Sequence, residues 1–139
     1  MPRARSQAAR KLKLMANEAS RRLDDLCRLP VGWDGYGGQP VNPQIAEFAL
    51  HLLENSLPAI HSPVQFVPGA GGDLQMEWHT VSADLELHLT APGVAAGFYR
   101  NILAGIEGDE RNFAGDFSAA ASWLRQMGES SGSANMAAA

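Results

Sequence analysis

A single cysteine, Cys27, occurs in the 139 residues. No internal disulfide can form, and no cysteine-built zinc cage can close. Its place beside Leu26 suits a small core residue, while the neighbouring Arg28 leaves a reactive thiolate as the alternative. Apolar runs are short, and none reaches the roughly 18 residues of a membrane span. The basic N-terminus is not followed by the apolar block of a signal peptide, since Arg and Lys recur as far as Arg28. The expectation is a cytoplasmic chain with no membrane contact. Motifs that carry chemistry are scarce too. There is no Gly-Lys-Ser or Gly-Lys-Thr phosphate loop, no nucleophile elbow, no Ser–His–Asp ordering and no Cys–His pairing. No catalytic residue, cofactor or metal is assigned, and a non-enzymatic role is the expectation.

Positive charge is what most of the chain lacks. Beyond position 28 there are only three basic residues, all arginine, against twelve acids, a net charge of −9. The first 28 residues hold eight basic residues and three acids, a net +5. A total of −4 therefore hides a basic segment joined to an acidic body. Such asymmetry points to binding partners rather than to catalysis.

At 139 residues and 45% hydrophobic, the chain suits one domain with a buried core. Residues 1–28 read as a basic N-terminal helix, amphipathic over 7–28, because Leu12, Met15, Ala19, Leu23 and Leu26 recur at helical steps. Pro30 stops it. The stretch from Leu29 to Val41 holds four glycines in seven residues with prolines outside them, which disfavours helix and strand. Asn42 and Pro43 open a second helix with Ile45, Phe48, Ala49, Leu52 and Leu53 on its apolar face, ending near Leu57.

From Val64 the period changes from helical to alternating. Residues 64–67 form a short strand. Leu74, Met76 and Trp78 alternate with polar residues, as do Leu85, Leu87 and Leu89. A short link at Thr80–Ala83 makes these a hairpin. Val94–Asn101 follows as a strand anchored by Phe98 and Tyr99, and 102–112 is a loop or a weak edge strand. A third helix is expected at 116–127, with Phe117, Ala120, Ala121, Leu124 and Met127 on one face and Gly128 as its C-terminal cap. The fold class is α+β: two N-terminal helices, a three- or four-stranded antiparallel sheet with one face under helices, and a C-terminal helix. A compact domain over 29–128 follows the basic helix. Residues 129–139, small, polar and low in complexity, form a disordered tail.

The run Gly32-Trp33-Asp34-Gly35-Tyr36-Gly37, then Pro40 and Pro43, then Leu74-Gln75-Met76-Glu77-Trp78-His79 and Asp84-Leu85-Glu86-Leu87, resembles a set of small bacterial and phage-associated proteins. They share a GWDGYG loop followed by an LEWH and DLELE hairpin and a Phe-Tyr strand, and the resemblance covers about residues 29–125. No activity is established for that set. It implies an accessory gene of a mobile element, in toxin–antitoxin pairing or phage–host conflict.

Two surfaces stand out as binding candidates. A tight hairpin sets Glu77, His79, Asp84, Glu86 and His88 on one sheet face. That face is open to a protein partner, to a solvated role, or to a metal or acid–base chemistry through its two Glu-x-His units. Trp33, Asp34 and Tyr36 of the glycine loop add a structural corner or a partner contact. Arg10, Lys11, Lys13, Arg21 and Arg22 of the basic helix can neutralise phosphates of a nucleic acid, or dock on an acidic body. The favoured expectation is a protein-binding module, an inhibitor or antitoxin whose acidic surface occupies a basic, nucleic-acid-handling partner. The alternative is a nucleic-acid-binding accessory or regulator using the basic helix. A homodimer is expected as a further possibility, since an edge strand and an amphipathic helix both need cover.

Overall fold

The computed structural model describes residues 17–138. Its elements in chain order are α1 (17–27), α2 (Pro43–Asn55), β1 (Gln65–Pro68), β2 (Leu74–His79), β3 (Ala83–Ala91), β4 (Val94–Asn101), β5 (Ile106–Ala114) and α3 (Ser118–Ala138). The five strands pair antiparallel in the order β1-β2-β3-β4-β5, each with its chain neighbour. The fold is therefore α+β. The sheet has five strands rather than three or four, because 106–114 completes it.

Alternation decides which face is buried. Leu74, Met76 and Trp78 on β2, and Ala83, Leu85, Leu87 and Leu89 on β3, point to the core, and their neighbours in sequence do not. α2 packs on β2 and β3, and α3 on β3 and β4, so all the helical cover lies on this face. On α1, the residues Ala19, Leu23 and Leu26 are buried, in the helical phase of the sequence pattern; Leu12 and Met15 lie outside the described residues. α2 starts as its cap predicts: the Asn42 side chain accepts from the Gln44 amide at 2.8 Å, and Pro43 occupies the first turn.

Two strands depart from expectation. On β4 the core anchor is Tyr99, fully buried, whereas Phe98 points to the opposite face. One residue's parity separates the two rings, and the neighbours Ala95 and Gly97 share the parity of Tyr99. β5 is glycine- and acid-rich and weak by propensity, yet it pairs along β4 from Val94↔Ala114 to Tyr99↔Asp109. Tertiary pairing overrides local preference there. Its Phe113 reaches the core, stacks on Phe117 and meets Trp123 edge-on.

Among the described residues, buried side-chain polarity is satisfied. Asn101, fully buried, donates to the Tyr99 hydroxyl at 2.8 Å and accepts from the Ala104 amide at 3.1 Å. Tyr99 in turn donates to the Gln126 carbonyl oxygen at 2.8 Å. α3 does not end at Gly128 but continues to Ala138, over most of the segment set apart by its low complexity. At Gly128 a Cβ would lie 3.2 Å from Ile60, so the glycine serves close packing rather than a cap. Among the described residues, no helix is long and apolar enough to cross a membrane.

Gly97 sits under the aromatic cluster. A Cβ there would lie 2.6 Å from the Phe113 ring, 3.2 Å from Leu87 and 3.3 Å from Trp123. The Phe113 ring is held by two other rings and has no free direction to yield. Gly97→Ala is therefore expected to destabilise by about 1–3 kcal/mol, the range for overpacking a tight core. Urea unfolding checks it; an unchanged midpoint would contradict this packing.

Candidate functional site

Among the described residues the helices leave one sheet face uncovered, and the strand register lays its side chains in rows. One row reads Gln65, Glu77, Glu86, Phe98, Glu110 from β1 to β5. The next reads Val67, Gln75, His88, Ala96, Asn112. On the far side of Glu77 and Glu86, His79 lies opposite Asp84, which lies opposite Arg100. The five residues expected from the hairpin, Glu77, His79, Asp84, Glu86 and His88, thus share this face.

His79 joins two carboxylates. Its Nε2 meets Glu77 Oε1 at 2.8 Å and its Nδ1 meets Asp84 Oδ1 at 2.6 Å. Ionised carboxylates only accept, so these two contacts favour the protonated ring, in which both nitrogens donate. Hydrogen bonds to Asp84 and then Glu77 raise the His79 pKa above its ordinary value of 6.5, against a smaller opposing effect of burial. Burial pushes Asp84 up, but hydrogen bonds from His79 and Arg100 outweigh it and hold the carboxyl below its ordinary value. Arg100 donates to Asp84 Oδ2 through Nε at 3.0 Å and Nη2 at 2.5 Å. Gln75 donates to the second oxygen of Glu77 at 2.8 Å.

The two Glu-x-His units do not form one centre. Antiparallel pairing sets His79 against Asp84 and His88 against Gln75. The imidazoles lie four β3 positions apart, about 13 Å at the rise of a strand. Among the described residues, no three His, Cys, Asp or Glu side chains group as metal ligands. His88 turns instead to Asp73 in the β1–β2 turn, with Nε2 at 2.5 Å from Oδ2.

The glycine loop is a self-bonded corner. Asp34 Oδ1 accepts from the amides of Tyr36 and Gly38, both at 2.9 Å, and these bonds hold its carboxyl below the ordinary value. Gly35, at φ +84°, and Gly32, at φ +83°, adopt backbone that other residues rarely take. Trp33 belongs to this corner. It is half-buried and donates its indole N–H to the Gln39 carbonyl at 2.7 Å, while Tyr36 is 87% exposed. The loop is tied to the β1–β2 turn by Gln39 to Ala70 at 2.8 Å and Asn42 to Gly72 at 2.9 Å. Asp73, in that same turn, reaches His88, so corner and open face are mechanically joined.

Of the basic-helix candidates, Arg21 and Arg22 are exposed on α1, and Arg10, Lys11 and Lys13 lie outside the described residues. Arg22 borders an apolar groove of about 660 Å³ floored by Leu57, Ile60, Phe66 and Trp78. Cys27 is half-buried; burial and then Asp24 push its thiol up, and Arg28 pairs with Asp24 at 3.1 Å instead of activating the sulfur. The sequence pattern did not assign Asp73, Gln75, Phe98, Arg100 or Glu110 to this site, and it gave Phe98 as a core anchor. Strand parity was the signal for Phe98 and Arg100, and it was masked by the apolar character of Phe98. Glu110 required β5 to be a strand. No protein-family model, curated protein or solved structure matches this chain.

The raised pKa of His79 gives a pH dependence with a definite sign. A group held charged in the fold contributes stability that is fully present below its unfolded pKa and is lost as pH rises through the folded one. Stability is expected to decline on going above pH 6.5, with His79→Gln flattening that decline in urea melts taken across the window. Asp84 acts oppositely: its contribution is present above its ordinary value of 3.8 and lost as pH falls through the lowered one. Asp34→Ala is expected to speed hydrogen exchange at the Tyr36 and Gly38 amides while leaving β3 amides unchanged. Equal protection in both would remove the corner role of Asp34.

Proposed function

We propose that this chain is a non-enzymatic protein-binding module, and that the uncovered sheet face, with the glycine corner beside it, is its contact surface. The observation that carries the reading is the open row Gln65–Glu77–Glu86–Phe98–Glu110 on a sheet whose other face carries α2 and α3. Tyr36 of the corner is a second exposed aromatic side chain. Acidic side chains with one aromatic among them suit a basic partner surface, and complementary charge speeds encounter and selects against wrong partners. Basic surfaces of that kind belong to proteins that handle nucleic acids. Occupying one would make the chain an inhibitor or antitoxin, in keeping with the phage-associated proteins that its loop and hairpin resemble. The partner would be met in the cytoplasm.

The charge split favours a second reading, in which the basic N-terminal segment, Arg21 and Arg22 included, binds nucleic acid directly. An affinity purification from source cells, with and without nuclease, separates the two. The expected result is a stoichiometric protein that survives nuclease and is lost from the Glu77→Lys/Glu86→Lys variant. Retention by that variant would overturn the acidic-face reading. Recovery of nucleic acid, with proteins released by nuclease, would move the function to the basic segment.

A further inference from the structure

Negative charge is not spread evenly over the open face. Glu77 and Asp84 share the His79 ring, Asp84 also holds Arg100, and Asp73 holds His88. Glu86 and Glu110 have no ion pair or hydrogen bond within the described residues. They flank the same residue: Glu86 lies opposite Phe98 on one side and Glu110 on the other. The surplus charge of the face is therefore concentrated around one aromatic ring.

The surface is concave at that place. In the neighbouring row the small Ala96 lies between His88 and Asn112, and the dip it leaves is a cup of about 450 Å³ bordered by Glu86, Phe98 and Glu110. Behind Phe98, Gly108 leaves room for the ring; a Cβ there would lie 3.3 Å from it. Arg111 also borders the cup, but its guanidinium is turned to Trp123 of α3, 5.6 Å from the ring centroid, and pairs with neither Glu86 nor Glu110 among the described residues.

We infer that this cup receives an arginine side chain of the partner. The inference rests on the protein-binding reading and specifies what that surface recognises. A guanidinium is planar, stacks on an aromatic face and carries donors on opposite edges. Glu86 and Glu110, projecting from strands about 10 Å apart, bracket such a group with charge-assisted hydrogen bonds on both sides while it lies against Phe98. The Asn112 side chain adds a neutral acceptor on the rim. An ammonium offers no plane to stack and no second edge, so lysine fits the same cup less well.

Nona-arginine titrated into the isotope-labelled full chain, followed by amide NMR with nona-lysine for comparison, tests this. Expected are shifts centred on Ala96, Phe98 and Asn112 with tighter binding of the arginine peptide. Ala96→Leu fills the cup with no change of charge, and Glu86→Gln/Glu110→Gln removes the charge with little change of shape. Each is expected to weaken the arginine peptide by about tenfold, whereas Ala114→Leu, exposed on the same face beyond the cup, leaves it unchanged. Arginine binding unaltered by Ala96→Leu, or equal affinity for both peptides, would overturn the inference, and so would shifts centred elsewhere. Should Ala96→Leu fail to fold, the paired Gln variant decides. With the captured partner, loss on Glu77→Lys/Glu86→Lys but not on Ala96→Leu sinks the cup alone. No loss on either sinks the acidic-face reading with it.

Discussion

The antiparallel pairing of β2 with β3, from Leu74↔Leu89 to His79↔Asp84, is the constraint from which both faces of the molecule follow. Side chains alternate along a strand, so this one register sends Leu74, Met76, Leu85, Leu87 and Leu89 together into the core. It sends Glu77, His79, Asp84, Glu86 and His88 together out of it. A slip of one residue would exchange the two sets, burying charge and exposing the leucines. Neither arrangement of helices nor any network on the open face would survive that exchange. The apolar side thus enforces the geometry of the polar side.

On the polar side the same register has a second consequence. Glu77 and Glu86 stand directly opposed, a like-charge pair that costs a few tenths of a kcal/mol in a solvated sheet. The chain relieves it unequally. His79 and Gln75 both engage Glu77, and Arg100 and His79 engage Asp84, so that side of the face becomes an ordered, internally paired network. Glu86 is left outside it. Antiparallel direction also keeps His79 and His88 at opposite ends of the hairpin, which turns two Glu-x-His units into two separate contacts, one to Asp84 and one to Asp73. A surface with metal-ligand residue types is organised instead as a partly neutralised, rigid plane with a local excess of negative charge.

Much of this was legible in the linear pattern, and the residues that were not share a cause. The apolar faces of α2 and of β2 and β3 were read correctly because each is a long periodic signal and burial follows periodicity. So were Ala19, Leu23 and Leu26 on α1. Phe98 was assigned to the core because an isolated aromatic residue carries no information about parity until its strand has partners. β5 lacked any local signature, as an edge strand of glycine, acids and Asn must; it exists because β4 offers it a ladder. The size of Trp33 says nothing of its role in the corner, where its indole is spent on a bond to the Gln39 carbonyl.

What the sequence by itself determined is the two-layer plan and the segregation of charge: hydrophobic period selects helix or strand, and the order of residue types separates a basic N-terminal segment from an acidic body. What only the tertiary structure decided is which charges neutralise one another. That depends on cross-strand neighbours, and cross-strand neighbours are set by register, which no local stretch of sequence contains. Asp84 meets Arg100, sixteen residues away, and His88 meets Asp73, fifteen away, because the meander folds them alongside. Among the described residues Glu86 and Glu110 have no ion-pair partner for the same reason, since the ring of Phe98, carrying no charge, is what the sheet places between them.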